Sequence, residues 1–173
     1  MAAEFGVYFR EADFPTFDSW QSACRHWTPQ IRLYPVDLRT HQGTLPAAFE
    51  CDEFNLQFEF EITNEWGGLD TAFDGEPALF AHFRCFAAEW EAAAHAALVF
   101  MSISNGVFFD PTGAEYQALD SALRYVQDSL KPQWQRLTSD PSQKLAAIKT
   151  YQSVNKTGIA EAKAAVEAYL SGP

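Results

Sequence analysis

Within residues 52–68, DEFNLQFEFEITNEWGG, positions 53–62 alternate strictly: Phe54, Leu56, Phe58, Phe60 and Ile62 share one parity, and Glu53, Asn55, Gln57, Glu59 and Glu61 share the other. A period of two belongs to a β-strand with one buried face, because successive side chains point to opposite sides of a sheet. The apolar parity must pack on a core, and the other parity faces out. That outer face holds three carboxylates, two amides and no cation.

The rest of the chain supplies partners for such a strand. Residues 5–9, FGVYF, read as a short strand. FPTFDSWQSACRHW reads as a helix, with Phe17, Trp20, Cys24 and Trp27 at spacings of three and four, Thr16 or Asp18 as its cap and Pro29 as its stop. IRLYPVDLRT reads as an edge strand interrupted at Pro35, and HQGTLP as a turn. Phe49 and Cys51 change parity relative to Phe54, which calls for a bulge or turn near Asp52–Glu53.

Pro77 to Ser102 is apolar almost all round and reads as a long, central, buried helix, with Phe83 and Trp90 inside and Asn105–Gly106 as its C-cap. VFFD reads as a strand, Asp110–Gly113 as a type I turn, and Leu119–Leu130 as an amphipathic helix. The fold class is therefore α+β: a small antiparallel sheet on a long central helix, with a C-terminal helical hairpin. The expected division is an α+β domain over 1–138 and a hairpin over 139–173.

Charge narrows the partners. The formal net charge is −11, and residues 1–130 hold 20 acids against 6 Lys and Arg. No Lys or Arg occurs from Gln42 to Phe83, while nine acids lie between Glu50 and Glu76. A field of that sign repels nucleic acid and anionic membranes and draws basic partners. No apolar run reaches the length of about 20 residues that a membrane helix needs. The expectation is a soluble, cytoplasmic protein.

Catalytic and metal signatures are weak. Cys24-x-His26 and His82-x-x-Cys85 make a conceivable zinc set, since helical positions three apart share a face, but Cys-x-His is an unusual spacing. The three cysteines read as free thiols. His95 lies in an Ala-rich segment as an interior residue. Glu59 and Glu61 form an E-x-E pair that any solvated strand face also shows, and Asp70 and Asp74 lack the spacing of a calcium loop. No catalytic residue, metal or cofactor is assigned.

Two resemblances complete the reading. Ala147-Ile148-Lys149, Thr157-Gly158, Glu161-Ala162-Lys163 and Val166-Glu167 lie in residues 142–171. This segment resembles the helical hairpin of the ribosomal stalk protein C-terminal domain, which helps contact translation factors. Leu145, Ile148, Tyr151 and Val154 form one helical stripe and Ile159, Ala162, Val166 and Leu170 the next, so Thr157–Gly158 breaks the segment and Gly158 is expected in a left-handed or turn conformation between two helices. The small, acidic, aromatic-rich α+β chain also resembles bacterial toxin-immunity proteins in general character.

The resulting expectation is an inhibitor that caps a basic toxin or effector. Its acidic surface comprises Glu53, Asn55, Gln57, Glu59, Glu61, Trp66, Asp70 and Asp74, with Arg32 and Arg39 as candidate neutralising cations. The alternatives are a ribosome-associated accessory module and a small enzyme with an unassigned carboxylate site.

Overall fold

The computed structural model describes residues 3–49, 54, 56–65, 73–86 and 89–171. Contacts divide the chain into two compact units, 1–126 and 127–173, whereas the sequence reading places the boundary at 138.

The first unit is built on an antiparallel sheet. Its strands are β1 (Ala3–Arg10), β2 (Ile31–Leu33), β3 (Gln42–Phe49), β4 (Leu56–Thr63), β5 (Ala78–Cys85), β6 (Val107–Phe109) and β7 (Glu115–Tyr116). Their order is β2-β3-β4-β5-β1-β6-β7, with every neighbouring pair antiparallel. The short segment Ile31–Leu33 before Pro35 does lie at the sheet edge. The turn expected at HQGTLP is instead the start of β3. There Gly43 pairs with Phe60, Leu45 pairs with Phe58, and the Pro46 carbonyl accepts from Tyr34 N–H.

One face of the sheet makes the core. Phe5, Val7 and Phe9 of β1, Phe58 and Phe60 of β4, and Phe83 of β5 are all buried. Two helices cover that face: α1 (Phe17–His26) and α2 (Trp90–Ser104). Thr16 caps α1 by accepting from Ser19 N–H at 3.1 Å. Trp20 of α1 meets Phe60 at 5.0 Å and Phe100 of α2 at 5.2 Å between ring centroids, and Phe60 meets Phe83 at 5.1 Å. The Trp20 indole N–H donates to the Ala96 carbonyl at 3.2 Å, so its polar atom is satisfied inside the core. Edge-to-face and tilted aromatic pairs each contribute about 0.5–1.5 kcal/mol beyond burial.

The long helix expected from Pro77 is corrected at its N-terminal third. Ala78–Cys85 is a strand between β4 and β1, and the helix begins only at Trp90. Phe80 and His82 on the outward parity of this strand are buried as well as Ala81, Phe83 and Cys85 on the inward one, so the segment reads apolar on nearly every side and periodicity alone does not separate it from a buried helix. Phe83 is buried, but from the strand. Trp90 is half-buried at the first helical position, edge-on to Phe5 at 5.0 Å. From Ala92 to Met101 every residue of α2 is buried. Alanine favours the helix and keeps its surface low, so the backbone can lie close to the sheet.

Helix α2 ends at Asn105 in the left-handed region (φ 48), its N–H bonded to Met101 O. The next residue has to be glycine. A Cβ on Gly106 would stand 2.6 Å from the Tyr8 carbonyl oxygen. After β6, the Asp110 carboxylate organises the turn. Oδ1 accepts from Thr112 N–H, Thr112 Oγ1 and Ala114 N–H, and Oδ2 accepts from Tyr116 O–H. Helix α3 (Leu119–Leu130) follows.

In the second unit, α4 (Gln133–Leu137), α5 (Lys144–Asn155) and α6 (Ile159–Ser171) gather on a small core of Ala147, Ile148, Ala162 and Val166. Trp134 and Leu137 of α4 pack on it with Tyr151, which ties the residues before 139 to this unit. Trp134 lies 5.0 Å from Tyr151 and 5.2 Å from Tyr169. The left-handed residue between α5 and α6 is Lys156 (φ 53), not Gly158, whose missing Cβ has nothing within 4 Å. No helix of the described residues is long and apolar enough to cross a membrane.

Candidate functional site: the open face of the sheet

The outward parity of β4 lies on the sheet face opposite the core, beside the outward parities of β5 and β1. Register places Glu59 opposite Arg84 and Glu61 opposite His82, and on the other side of β5 it places Glu4 opposite Arg84. Three carboxylates therefore surround one guanidinium. Arg84 Nε donates to Glu4 Oε2 at 3.2 Å, while its two terminal nitrogens stand 3.7 Å from Glu59 and 3.7 Å from Glu61. The hydrogen bond that Arg84 donates to Glu4 is the largest influence on the guanidinium; burial works against it, but the charges of Glu4, Glu61 and Glu59 add to it, so Arg84 holds its proton more tightly than usual. His82 sits beneath this group, buried, with Nδ1 in contact with Glu4 Oε1.

Arg32 and Arg39 do not stand opposite Glu59 and Glu61 in the sheet register. The Arg32 guanidinium lies over the Phe54 ring at 4.6 Å and that of Arg39 over Phe14 at 4.1 Å. The charge opposite Glu59 and Glu61 is Arg84, the first basic residue after the stretch without Lys or Arg. Reading Ala78–Cys85 as helix hid this, because only strand parity puts His82 and Arg84 on one side and Phe83 and Cys85 on the other.

Of the residues expected to form the surface, Gln57 and Glu59 are exposed and Glu61 is half-buried on this face. Glu53, Asn55, Trp66 and Asp70 lie outside the described residues, as do Cys51 and the bulge expected near Asp52–Glu53. Asp74 is exposed in a tight turn with φ 52, followed by Gly75 at φ 84.

The face is aromatic on either side of the charged group. Towards β1 and β6, Tyr8 and Phe80 pack with Phe73, Val107 and Phe109. Towards β2, Tyr34 and Phe54 are exposed and meet edge-on at 5.7 Å.

The conceivable zinc set does not form. His82 and Cys85 are three apart on a strand, so they point to opposite faces. Among the described residues no three His, Cys, Asp or Glu side chains converge to hold a metal ion. Burial pushes the Cys24 thiol up to about 12, and burial with the nearby Glu89 charge pushes Cys85 up to about 11. Both are poor nucleophiles in that state. His95 is interior as expected. Its Nδ1 accepts from the Trp27 indole N–H at 3.0 Å, and burial pulls its pKa down to about 4.

No protein-family model, no curated protein and no solved structure matches this chain.

Proposed function

We propose that this chain is a protein-binding inhibitor, of the immunity-protein kind, acting in the cytoplasm to neutralise a cationic toxin or effector. Its docking surface is the open sheet face around Gln57, Glu59 and Glu61, extended by Glu53, Asn55, Trp66, Asp70 and Asp74. The observation that carries this reading is the unequal sharing of Arg84. Its guanidinium is hydrogen-bonded to Glu4 and stands 3.7 Å from Glu59 and Glu61, beyond hydrogen-bond length. Both outer carboxylates keep acceptor capacity for an incoming cation. The net charge of −11 supports the same reading, because opposite charge steers association.

The test is retention of partners by immobilised protein from source-cell extract, comparing wild type with the Glu59→Lys, Glu61→Lys double variant. A basic protein held by wild type and lost by the variant is expected. Its association kinetics are then measured at two ionic strengths. Equal retention and equal on-rates at low salt sink the reading.

A second reading has one observation of its own. Residues 144–171 read as a helical hairpin that leaves Val154 and Ile159 exposed on either side of Lys156. Apolar side chains at a bend suit a protein contact, and the stalk-like text suggests a translation factor or the ribosome. Co-sedimentation with ribosomes that survives Glu59→Lys, Glu61→Lys but is lost in Val154→Ser, Ile159→Ser favours this reading. Sedimentation unaffected by the second pair removes it.

A further inference from the structure

The pairing of β4 with β5 ends at Glu59 and Arg84, although β5 continues to Cys85 against β1. Where the two strands part, a cleft of about 150 Å³ opens and reaches Glu89, the residue before α2. Gln57, Phe58 and Glu59 of β4, Cys85 of β5, and Phe86 and Glu89 line it. Phe86 is 70% exposed, an aromatic ring presented to solvent at the edge of a polar cleft.

Glu89 is the unusual member. It occupies the position before the first helical residue of α2, yet its side chain makes no capping hydrogen bond. Its Oε2 is buried and has no hydrogen-bond partner among the described residues. A buried carboxylate oxygen without a donor is costly to maintain, so one found in a native fold calls for an explanation, and a ligand is one. Arg84 also borders the cleft, but its guanidinium is already hydrogen-bonded to Glu4.

We infer that this cleft receives the side-chain ammonium of a lysine on the cationic partner, with Glu89 and Glu59 as its carboxylate acceptors. This rests on the reading of the open face as a cation-binding surface, and it deepens that reading by naming the anchoring group. Gln57 supplies a further acceptor at the same cleft. The aliphatic stem lies on Phe58 and the exposed ring of Phe86, where a cation is also favoured. An ammonium is a compact charge with three donors free to turn, which suits carboxylates approached from different walls. A guanidinium needs a flat fork facing one carboxylate edge-on.

The probe is lysine blocked at both backbone ends, titrated into ¹⁵N-labelled full-length protein and followed by amide chemical shifts. Its ε-acetylated form and blocked arginine serve as controls. Saturable shifts at Phe86, Glu89 and Trp90 are expected with lysine and not with acetyl-lysine. Glu89→Gln, an isosteric change, should weaken them at least tenfold, and Glu115→Gln, on the edge strand β7, should leave them unchanged. Because the acetyl-lysine comparison uses wild-type protein, it decides the matter even if Glu89→Gln fails to fold. Saturable shifts confined to Glu61 and His82 overturn the cleft and leave the acidic face standing. Arginine binding as tightly as lysine, equal binding by Glu89→Gln, or no saturable shift each overturns the inference.

Discussion

The ring of Phe80 lies over Gly6. A Cβ built on Gly6 would come within 2.0 Å of Phe80 Cζ. The ring fills the space a side chain of β1 would take, on the sheet face away from the main core.

Gly6→Ala should therefore destabilise the first unit. The ring is confined by Tyr8 at 4.6 Å, His82 at 4.3 Å and Phe109 at 6.1 Å between centroids, so it cannot swing aside freely. Overpacking of this kind costs about 1–3 kcal/mol. Urea midpoints of Gly6→Ala and of the double variant Gly6→Ala, Phe80→Leu check it. The second change should recover part of the loss, and a single variant as stable as wild type removes the steric account.

His95 should make stability fall on mild acidification. In the unfolded chain this imidazole takes its proton near pH 6.5 and in the folded chain near 4. Between those values the unfolded state binds more protons, so stability falls as pH drops from about 6.5 to about 4. The full effect is roughly 3 kcal/mol. Denaturant midpoints between pH 7.5 and 4.5 should fall less steeply for His95→Gln than for wild type. Parallel curves would show that the folded protein accommodates the imidazolium.

Asp110 should contribute in a lower pH window. Burial works against its charge, but donors from Thr112, Ala114 and Tyr116 outweigh that and hold the carboxyl below its usual range. A depressed folded value means stability that is present above the unfolded pKa of about 4 and is lost as pH falls through the folded value. Asp110→Ala orphans the donors of the turn and should cost about 1–3 kcal/mol at pH 7. The difference from wild type should shrink as pH falls below about 4. A constant difference down to pH 2 contradicts the charged role.

Arg84→Gln separates charge from fold on the open face. Its ion pairs are half-exposed, so their loss should cost no more than about 1 kcal/mol. Removing the guanidinium that Glu4, Glu59 and Glu61 surround makes the face more negative. Association with a cationic partner should speed up and become more salt-dependent, while Glu59→Gln, Glu61→Gln should slow it. Stopped-flow rates at two ionic strengths measure both. A slower Arg84→Gln would mean that the guanidinium itself touches the partner.

Local sequence determined a good deal here. The alternation of residues 56–63 specified a strand with Phe58 and Phe60 inward and Gln57 and Glu59 outward, because period two has only one structural meaning over that length. Thr16, Asn105 and the Asp110–Gly113 turn are caps and turns whose hydrogen bonds close within a few residues, so their chemistry is readable in place. Tertiary structure alone decided what Ala78–Cys85 becomes. An apolar run suits a buried helix and a central strand equally, and only pairing with Ala3–Arg10, 68 to 82 residues away in the chain, selects the strand. That choice sets the parity of His82 and Arg84. Which cation meets Glu59 and Glu61, and whether the face is uniformly acidic or built around a guanidinium, follows from long-range register, which no local pattern encodes.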